Sequence, residues 1–103
     1  MQAIPKVQDL DSVLHEKHRL ALVSVLATGE EFTFRELKDA LAMTDGNLSV
    51  HLRVLESAGY VSLEKTFVDR KPRTIVRLSR AGRRALVRYI DDLAEIVREV
   101  KSR

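Results

Sequence analysis

The segment from Thr44 to Arg53 carries side chains of the kinds that hydrogen-bond to the edges of nucleic-acid bases. Asparagine pairs with adenine, arginine with guanine and serine with several bases, while valine contacts the methyl group of thymine. The residues that we predict to face DNA are Thr44, Gly46, Asn47, Ser49, Val50 and Arg53. An ordinary polar helix face contains similar residues, so the prediction depends on the surrounding elements.

The apolar residues of this segment predict an amphipathic helix. They recur at spacings of four and three, at Leu48, Leu52 and Leu55. Thr44 is a favourable N-cap and Gly59 suits a left-handed C-terminal position, which predicts a helix from Asp45 to Ala58. Gly46 would let the backbone approach a ligand at a helix start, where free N–H groups favour phosphate. Asp45 is expected to cap or position the helix, because a carboxylate there suits the helix dipole.

A block of positive charge follows this helix. The range 65–88 contains nine Lys and Arg residues and one acidic residue, Asp69, whereas the rest of the chain has nine basic and fourteen acidic residues. The block therefore carries +8 and the remainder −5. Such a block is expected for a polyanionic partner, and a solvated basic face is the alternative. The cations predicted to contact the DNA backbone or minor groove are Lys65, Arg70, Lys71, Arg73 and Arg77.

The remaining patterns predict the elements that position these residues. A capping box at Thr33 and Glu36 marks the start of a short helix, and Ser79 caps a long last helix. We expect Pro72 to end strand pairing at a polar hairpin tip over 69–72. The predicted elements are helices 12–27, 34–42, 45–58 and 80–101 and strands 60–67 and 73–78. This order predicts a mainly α fold with a small β-hairpin, a winged helix-turn-helix.

One domain is predicted over residues 1–103, with the helix-turn-helix and wing in 8–78 and a C-terminal dimerisation helix in 79–103. The last helix carries an apolar stripe to its end, beyond what one small domain would cover. A stripe with alternating spacings of four and three is typical of paired helices, although a wholly intramolecular stripe is the alternative. The residues predicted to form the dimer interface are Ile4, Val7, Leu10, Leu86, Tyr89, Ile90, Leu93, Ile96, Val97 and Val100.

The sequence gives little indication of a catalytic or metal-binding site. There is no cysteine and no glycine-rich phosphate loop. His15 and His18 flank Glu16, but this pattern is one residue short of H-E-x-x-H and no third ligand is evident, so a structural role is predicted. His51 is expected to contact phosphate or to brace its helix. We expect no enzyme activity, no metal and no cofactor.

The N-terminal segment lacks the basic start and apolar core of a secretory signal, and no apolar run approaches the length of a membrane span. We therefore expect a soluble cytoplasmic protein that does not bind membranes.

Three stretches, 32–38, 44–61 and 65–74, together closely resemble compact winged-helix regulators related to the MarR and ArsR families of bacteria and archaea. The resemblance implies a homodimeric DNA-binding repressor or regulator, with its recognition helix at 45–53 and its wing tip at 70–73. Asp69 stands where a glycine is expected at the wing turn. The ligands of metal-sensing ArsR proteins are missing, so the resemblance does not imply metal sensing. A chain of this length also does not imply the phenolic-ligand pocket of larger MarR proteins.

The sequence therefore predicts a sequence-specific, homodimeric regulator, a repressor in the main interpretation, that binds double-stranded DNA. In the competing interpretation, the winged fold is a protein-interaction module within a larger complex. That module would be a monomer without salt-dependent duplex binding, and its long helix would dock on a different protein.

Overall fold

The structure is a computed structural model that describes residues 4–103. Four helices and three strands are present in the order α1 Lys17–Leu26, β1 Phe32–Thr33, α2 Phe34–Leu41, α3 Asp45–Ser57, β2 Val61–Val68, β3 Lys71–Leu78 and α4 Arg80–Lys101, after a 3-10 turn at Val7–Asp9. The strands form one antiparallel sheet in the order β1-β3-β2. The predicted winged helix-turn-helix with a long C-terminal helix is thereby confirmed.

The hydrophobic core lies where the first three helices meet the sheet and the first half of α4. Every helix and both long strands contribute to it. Its most completely buried side chains are Leu14, Leu22, Val23, Leu26, Leu37, Leu48, Leu52, Leu55 and Val76. Each such side chain stabilises the fold by about 1.5–3 kcal/mol when it leaves water. The buried trio of α3 confirms the inward face predicted from the spacing of its leucines.

The first helix begins later than predicted, at Lys17 rather than Ser12. The carboxylate of Asp11 accepts hydrogen bonds from the N–H groups of residues 13 and 14, which folds the chain into a turn. Glu16 then caps α1 by accepting from the N–H groups of His18 and Arg19, each at 2.9 Å. The apolar spacing predicted the wrong start for this helix, because a turn buries Leu14 as completely as a helix would.

The caps around the second and third helices are confirmed. Thr33 Oγ1 accepts from the N–H of Glu36 at 3.0 Å, and Glu36 Oε1 accepts from the N–H of Thr33 at 2.9 Å. Thr44 Oγ1 accepts from the N–H of Asn47 at 3.1 Å and starts α3. Between the two helices, Ala42 has a left-handed backbone with φ 52°, which ends α2 one residue earlier than predicted. The connection is therefore tight.

The wing is longer and more regular than predicted. Its strands pair from Val61↔Leu78 to Val68↔Lys71 around a two-residue turn of Asp69 and Arg70, whose φ angles are 52° and 66°. Two successive positive φ angles are typical of the type I′ hairpin turn. The wing turn thus forms without the glycine that the resemblance led us to expect.

The prediction that Pro72 ends strand pairing was wrong, because Pro72 lies opposite Phe67 inside the ladder. In a two-residue hairpin the pair beside the turn exchanges hydrogen bonds and the next pair does not. Pro72 belongs to that second pair, so its missing N–H costs the β2–β3 ladder no hydrogen bond.

A short strand was missed by the sequence analysis. Phe32 and Thr33 pair with Val76 and Ile75, which makes β3 the central strand of the sheet. Two residues are too few to produce an alternating pattern, so only the tertiary fold reveals this strand. Its pairing places the start of α2 beside the wing.

The last helix is anchored at its start to the end of α3. Ser79 Oγ accepts from the N–H of Gly82 at 2.9 Å and donates to the carbonyl of Gly59 at 2.6 Å. Its backbone N–H donates to the carbonyl of Tyr60 at 2.9 Å. Gly82 is buried at this contact.

None of the helices among residues 4–103 is both long enough and apolar enough to cross a bilayer.

The Gly82→Ala substitution should strongly destabilise the protein. A Cβ atom at Gly82 would lie 2.2 Å from the carbonyl oxygen of Tyr60 and 2.7 Å from Leu78 Cδ1, so α4 would have to move. We expect a loss of about 1–3 kcal/mol in the free energy of unfolding, measured by urea denaturation. Gly46→Ala is the matched control, because a Cβ there meets nothing within 4 Å. Equal stability of the two variants would contradict this account of the α3–α4 junction.

Candidate nucleic-acid interface

The outer face of α3 carries the predicted base-reading residues. Because the three leucines point into the core, the side chains between them are directed outward. Thr44, Gly46, Asn47, Val50 and Arg53 are exposed, and Ser49 is half-buried. The structure therefore brings together on one surface all six residues of this predicted set.

Asp45 is tied to the preceding helix. Its carboxylate oxygen lies 2.8 Å from Nζ of Lys38 on α2. The pair joins α2 and α3 across their short connection and offsets the negative charge beside the outer face. This contact agrees with the positioning role predicted for Asp45, in addition to its favourable place in the first turn.

His51 braces α3 from the side against α1. Its Nδ1 accepts a hydrogen bond from Arg19 Nη1 at 3.2 Å, and its ring stacks on that of His18 with centroids 5.1 Å apart. Burial lowers the pKa of His51, and this effect outweighs the opposing influence of the nearby Glu16 carboxylate. A neutral, half-buried imidazole is suited to holding the helix. Of the two roles predicted for His51, the bracing role is the one the geometry favours.

Glu16 is the centre of this contact between α1 and α3. Burial alone would raise its pKa, but hydrogen bonds from the His18 ring and from the backbone N–H groups of Arg19 and His18, with the charge that His51 carries once it is protonated at low pH, lower it to about 2. The carboxylate is therefore an anion at neutral pH. His15 stands apart from the cluster and is hydrogen-bonded to the hydroxyl of Tyr89 at 2.8 Å.

Four of the five predicted backbone-contacting cations lie on the exposed surface of the wing. Lys65, Arg70, Lys71 and Arg73 are exposed, and within the described part of the chain none of them has a carboxylate within 4.0 Å. No ion pair thus offsets their charge, although Glu36 and Asp69 line the same cleft as Lys71 and Arg73. An anion approaching the wing would meet four cations on a narrow ribbon.

Arg77 does not fit its predicted role. Its guanidinium donates to Glu64 Oε1 at 2.6 Å and to Glu31 Oε2 at 2.7 Å. The hydrogen bonds with Glu64 and Glu31 raise the pKa of Arg77 above its ordinary value. With two carboxylates already bound, Arg77 holds the base of the sheet together and is not available to a phosphate. Glu31 is distant in sequence, so this pairing could not be predicted.

Two further residues near the wing were missed by the sequence analysis. Arg35 is exposed in the first turn of α2 and lines an open cleft together with Lys71 and Arg73. Only the β1–β3 pairing brings α2 this close to the wing. Phe67 has 72% of its surface exposed near the wing tip, opposite Pro72. The wing extends past the core at this point, so the Phe67 side chain is left exposed.

The apolar stripe of α4 divides into two parts. Leu86 and Tyr89 are buried within the protomer, as is Leu10, so the prediction that these three form a dimer interface needs correction. Leu93 and Ile96 are half-buried against the core. The predicted interface residues that remain exposed are Ile4, Val7, Ile90, Val97 and Val100. Val87, which the prediction omitted, is exposed as well.

The start of α4 adds three more cations. Arg80, Arg83 and Arg84 are exposed, and no ion pair involves them in the described range 4–103. Cations in the first turns of a helix oppose the helix dipole.

The comparisons with known proteins agree with this geometry. Residues 18–97 match the family model described as "Winged helix DNA-binding domain". An uncharacterized protein of Methanocaldococcus jannaschii is 31% identical over 83 residues, which cover 81% of this chain and 90% of that protein.

Two solved structures show the same fold. The transcriptional regulator homologue protein of Pyrococcus horikoshii OT3 is 31% identical, with a TM-score of 0.80 and coverage of 85% of this chain and 87% of that one. A MarR-family transcriptional regulator of Silicibacter pomeroyi has a TM-score of 0.65 at 21% identity, with coverage of 85% and 59% respectively. The resemblance drawn from the sequence is confirmed by these matches.

Proposed function

The chain belongs to the winged helix DNA-binding domain family, and from this premise we propose that it is a transcriptional repressor that binds specific double-stranded DNA sites as a homodimer. It acts by binding and not by catalysis. The observation that carries the proposal is the exposed polar face of α3, held outward by its buried leucines and accompanied by a wing with four exposed cations that form no ion pair.

In this proposal α3 lies in the major groove of the DNA. The second helix of a helix-turn-helix enters that groove with its N-terminal residues against the base edges. Asn47 and Arg53 supply the hydrogen bonds that distinguish adenine and guanine, and Val50 supplies an apolar contact for a thymine methyl. Gly46 has no side chain, so the first turn of α3 comes close to the DNA with its N–H groups directed at phosphate.

The wing contacts the flanking backbone or the minor groove. Arg70 occupies a left-handed backbone position, φ 66°, where a side chain costs about 1 kcal/mol relative to glycine. Fold stability therefore does not explain an arginine at the tip, whereas a negatively charged groove does. Lys65, Lys71 and Arg73 add contacts that depend on charge, and Arg35 adds one from the adjacent cleft.

The exposed part of the α4 stripe is the proposed dimer interface. The helix has 22 residues, about 33 Å of length, and its apolar residues continue to Val100, past the part covered by the core. Val87, Ile90 and Val97 lie on one side of the helix at spacings of three and seven, which matches a paired-helix seam. A second copy of α4 offers the complementary face, and Ile4 and Val7 extend it.

A two-fold dimer places two copies of α3 on one face of the DNA. We expect a pseudo-palindromic site with half-sites about 34 Å apart, one turn of the duplex. Selection of bound fragments from random DNA would define that site.

Arg70→Asn should reduce the salt dependence of DNA binding. Asparagine tolerates the left-handed conformation but removes the charge, so the turn is kept and a phosphate contact is lost. The slope of log K against log salt should fall by about one per protomer, measured by fluorescence anisotropy on a selected duplex. Arg77→Gln is the control, because Arg77 is bound by two carboxylates, and its slope should not change. An unchanged slope for Arg70→Asn would show that the wing tip does not contact the DNA.

Gly46→Ala should weaken DNA binding without weakening the fold. The added methyl meets no atom of the protomer, and alanine is favoured over glycine in a helix by about 1 kcal/mol. Affinity for the selected duplex should nevertheless fall, because the methyl occupies space between the helix start and the DNA. Ser57→Ala changes an exposed position at the far end of α3 and should bind DNA as the parent does. Undiminished affinity of Gly46→Ala would argue against close approach of this turn.

Val97→Glu should convert the dimer to a monomer. A carboxylate would be buried against the second copy without a partner, at a position that is 41% exposed within the protomer. Sedimentation velocity should show the parent as a dimer and the variant as a folded monomer. Ser24→Glu introduces the same residue at an exposed site on α1 and should remain dimeric. A monomeric parent without salt-dependent duplex binding would support the protein-interaction module instead.

A further inference from the structure

Three side chains capable of holding a metal converge at the contact between α1 and α3. Glu16 and His18 come from the start of α1, and His51 comes from the middle of α3. Each offers one ligand atom, and these atoms all lie within 4.8 Å of one another. The sequence analysis paired His18 with His15 and found no third ligand, because the fold that brings His51 to this place is not visible in the spacing.

We propose that Glu16, His18 and His51 form a binding site for a divalent transition-metal ion of the zinc, nickel or cobalt type. The site is independent of the DNA-binding proposal. It lies where α3 packs against α1 and uses none of the residues assigned to DNA.

The distances between the donor atoms fit one ion. Glu16 Oε2 lies 2.9 Å from His18 Nδ1, and Glu16 Oε1 lies 3.7 Å from His51 Nδ1. In a tetrahedral site with metal–ligand bonds of about 2.1 Å, neighbouring donors are separated by about 3.4 Å. The two distances belong to different oxygens of the Glu16 carboxylate. One ion would therefore be held either by both oxygens or after a rotation that brings one oxygen between the two imidazoles, whose donor atoms lie within 4.8 Å of each other.

The donor types select the class of metal. Imidazole suits zinc, nickel, copper and iron, whereas magnesium and calcium prefer sites made of oxygen ligands only. Two imidazoles and one carboxylate leave open positions for water. All three side chains are half-buried, so they are partly preorganised but reachable by an ion.

His18 Nδ1 is hydrogen-bonded to Glu16 Oε2 at 2.9 Å, so it must lose its proton before it can bind a metal. Arg19 opposes metal binding as well. Its Nη1 donates to His51 Nδ1 at 3.2 Å, which is the lone pair that the metal needs. A metal must displace this hydrogen bond, and the guanidinium would turn away while its Nε remains bound to the carbonyl of Val13 at 2.7 Å. The anionic Glu16 compensates part of the added charge. We therefore expect affinity in the micromolar range, well below that of a closed structural zinc site.

A bound metal ion would hold α3 more firmly in its position against α1. His51 follows Val50 directly and lies in the helix whose outer face carries the DNA-binding residues. An ion that binds only the folded arrangement stabilises it in proportion to its free concentration above the dissociation constant. The stabilisation is measurable on the protein alone, without DNA.

The experiment uses the full chain without an affinity tag. Titration with Co²⁺ should give a saturable visible absorption band at one ion per protomer, and Zn²⁺ should compete it away and raise the melting temperature. Mg²⁺ should do neither. His18→Ala and Glu16→Gln should each weaken Co²⁺ binding by more than about tenfold. His18 is exposed enough for its variant to fold, which circular dichroism would verify.

The third histidine of the chain supplies the matched control. His15 is bonded to Tyr89 and lies outside the cluster, so His15→Asn should bind Co²⁺ as the parent does. Absence of Co²⁺ binding by the parent, or an equal loss in His15→Asn, would overturn the proposal. Metal binding without duplex binding would support the metal site and contradict the proposed function. Duplex binding without metal binding would support the proposed function and contradict the metal site.

Discussion

The burial of one face of α3 is the constraint on which the rest of the structure depends. Leu48, Leu52 and Leu55 are all essentially inaccessible to solvent. Rotation of the helix about its axis would expose all three leucines, at a cost of about 1.5–3 kcal/mol each. The polar residues between them therefore have one orientation available. A surface that reads bases needs this fixed orientation, because a side chain displaced by an ångström loses its hydrogen bond.

The cations of the surface divide into those that are paired with acidic residues and those that form no ion pair. Arg77, at the base of the sheet, is held by Glu31 and Glu64, and Lys38 is held by Asp45. No such partner is found within the described residues for the wing cations or for the first arginines of α4. The total charge of +3 conceals this separation. Position, more than net charge, makes the surface suited to a polyanion.

The sequence predicted those features that depend on neighbouring residues. The capping box at Thr33 and the cap at Thr44 act over three residues, and the helices that they start were correctly placed. Features that depend on distant residues were missed or wrong. The β1 strand, the Glu31 contact of Arg77 and the approach of His51 to Glu16 all join segments more than 30 residues apart. The start of α1 was predicted wrongly for another reason, because a carboxylate-stabilised turn and a helix can bury Leu14 equally well.

The division of the α4 stripe follows from the anchoring of its first turn. Ser79 is hydrogen-bonded to Gly59 and Tyr60, and Gly82 allows the helix to contact the backbone there without a side chain. With its first turn fixed at the end of α3, the helix extends away from the core. On its inward side Leu86 and Tyr89 are buried, Leu93 and Ile96 are half-buried, and Val100 at the end is exposed. The same junction that completes the core of one protomer thus directs the uncovered part of α4 outward, and it links the proposed dimer interface to the helix that carries the proposed base-reading face.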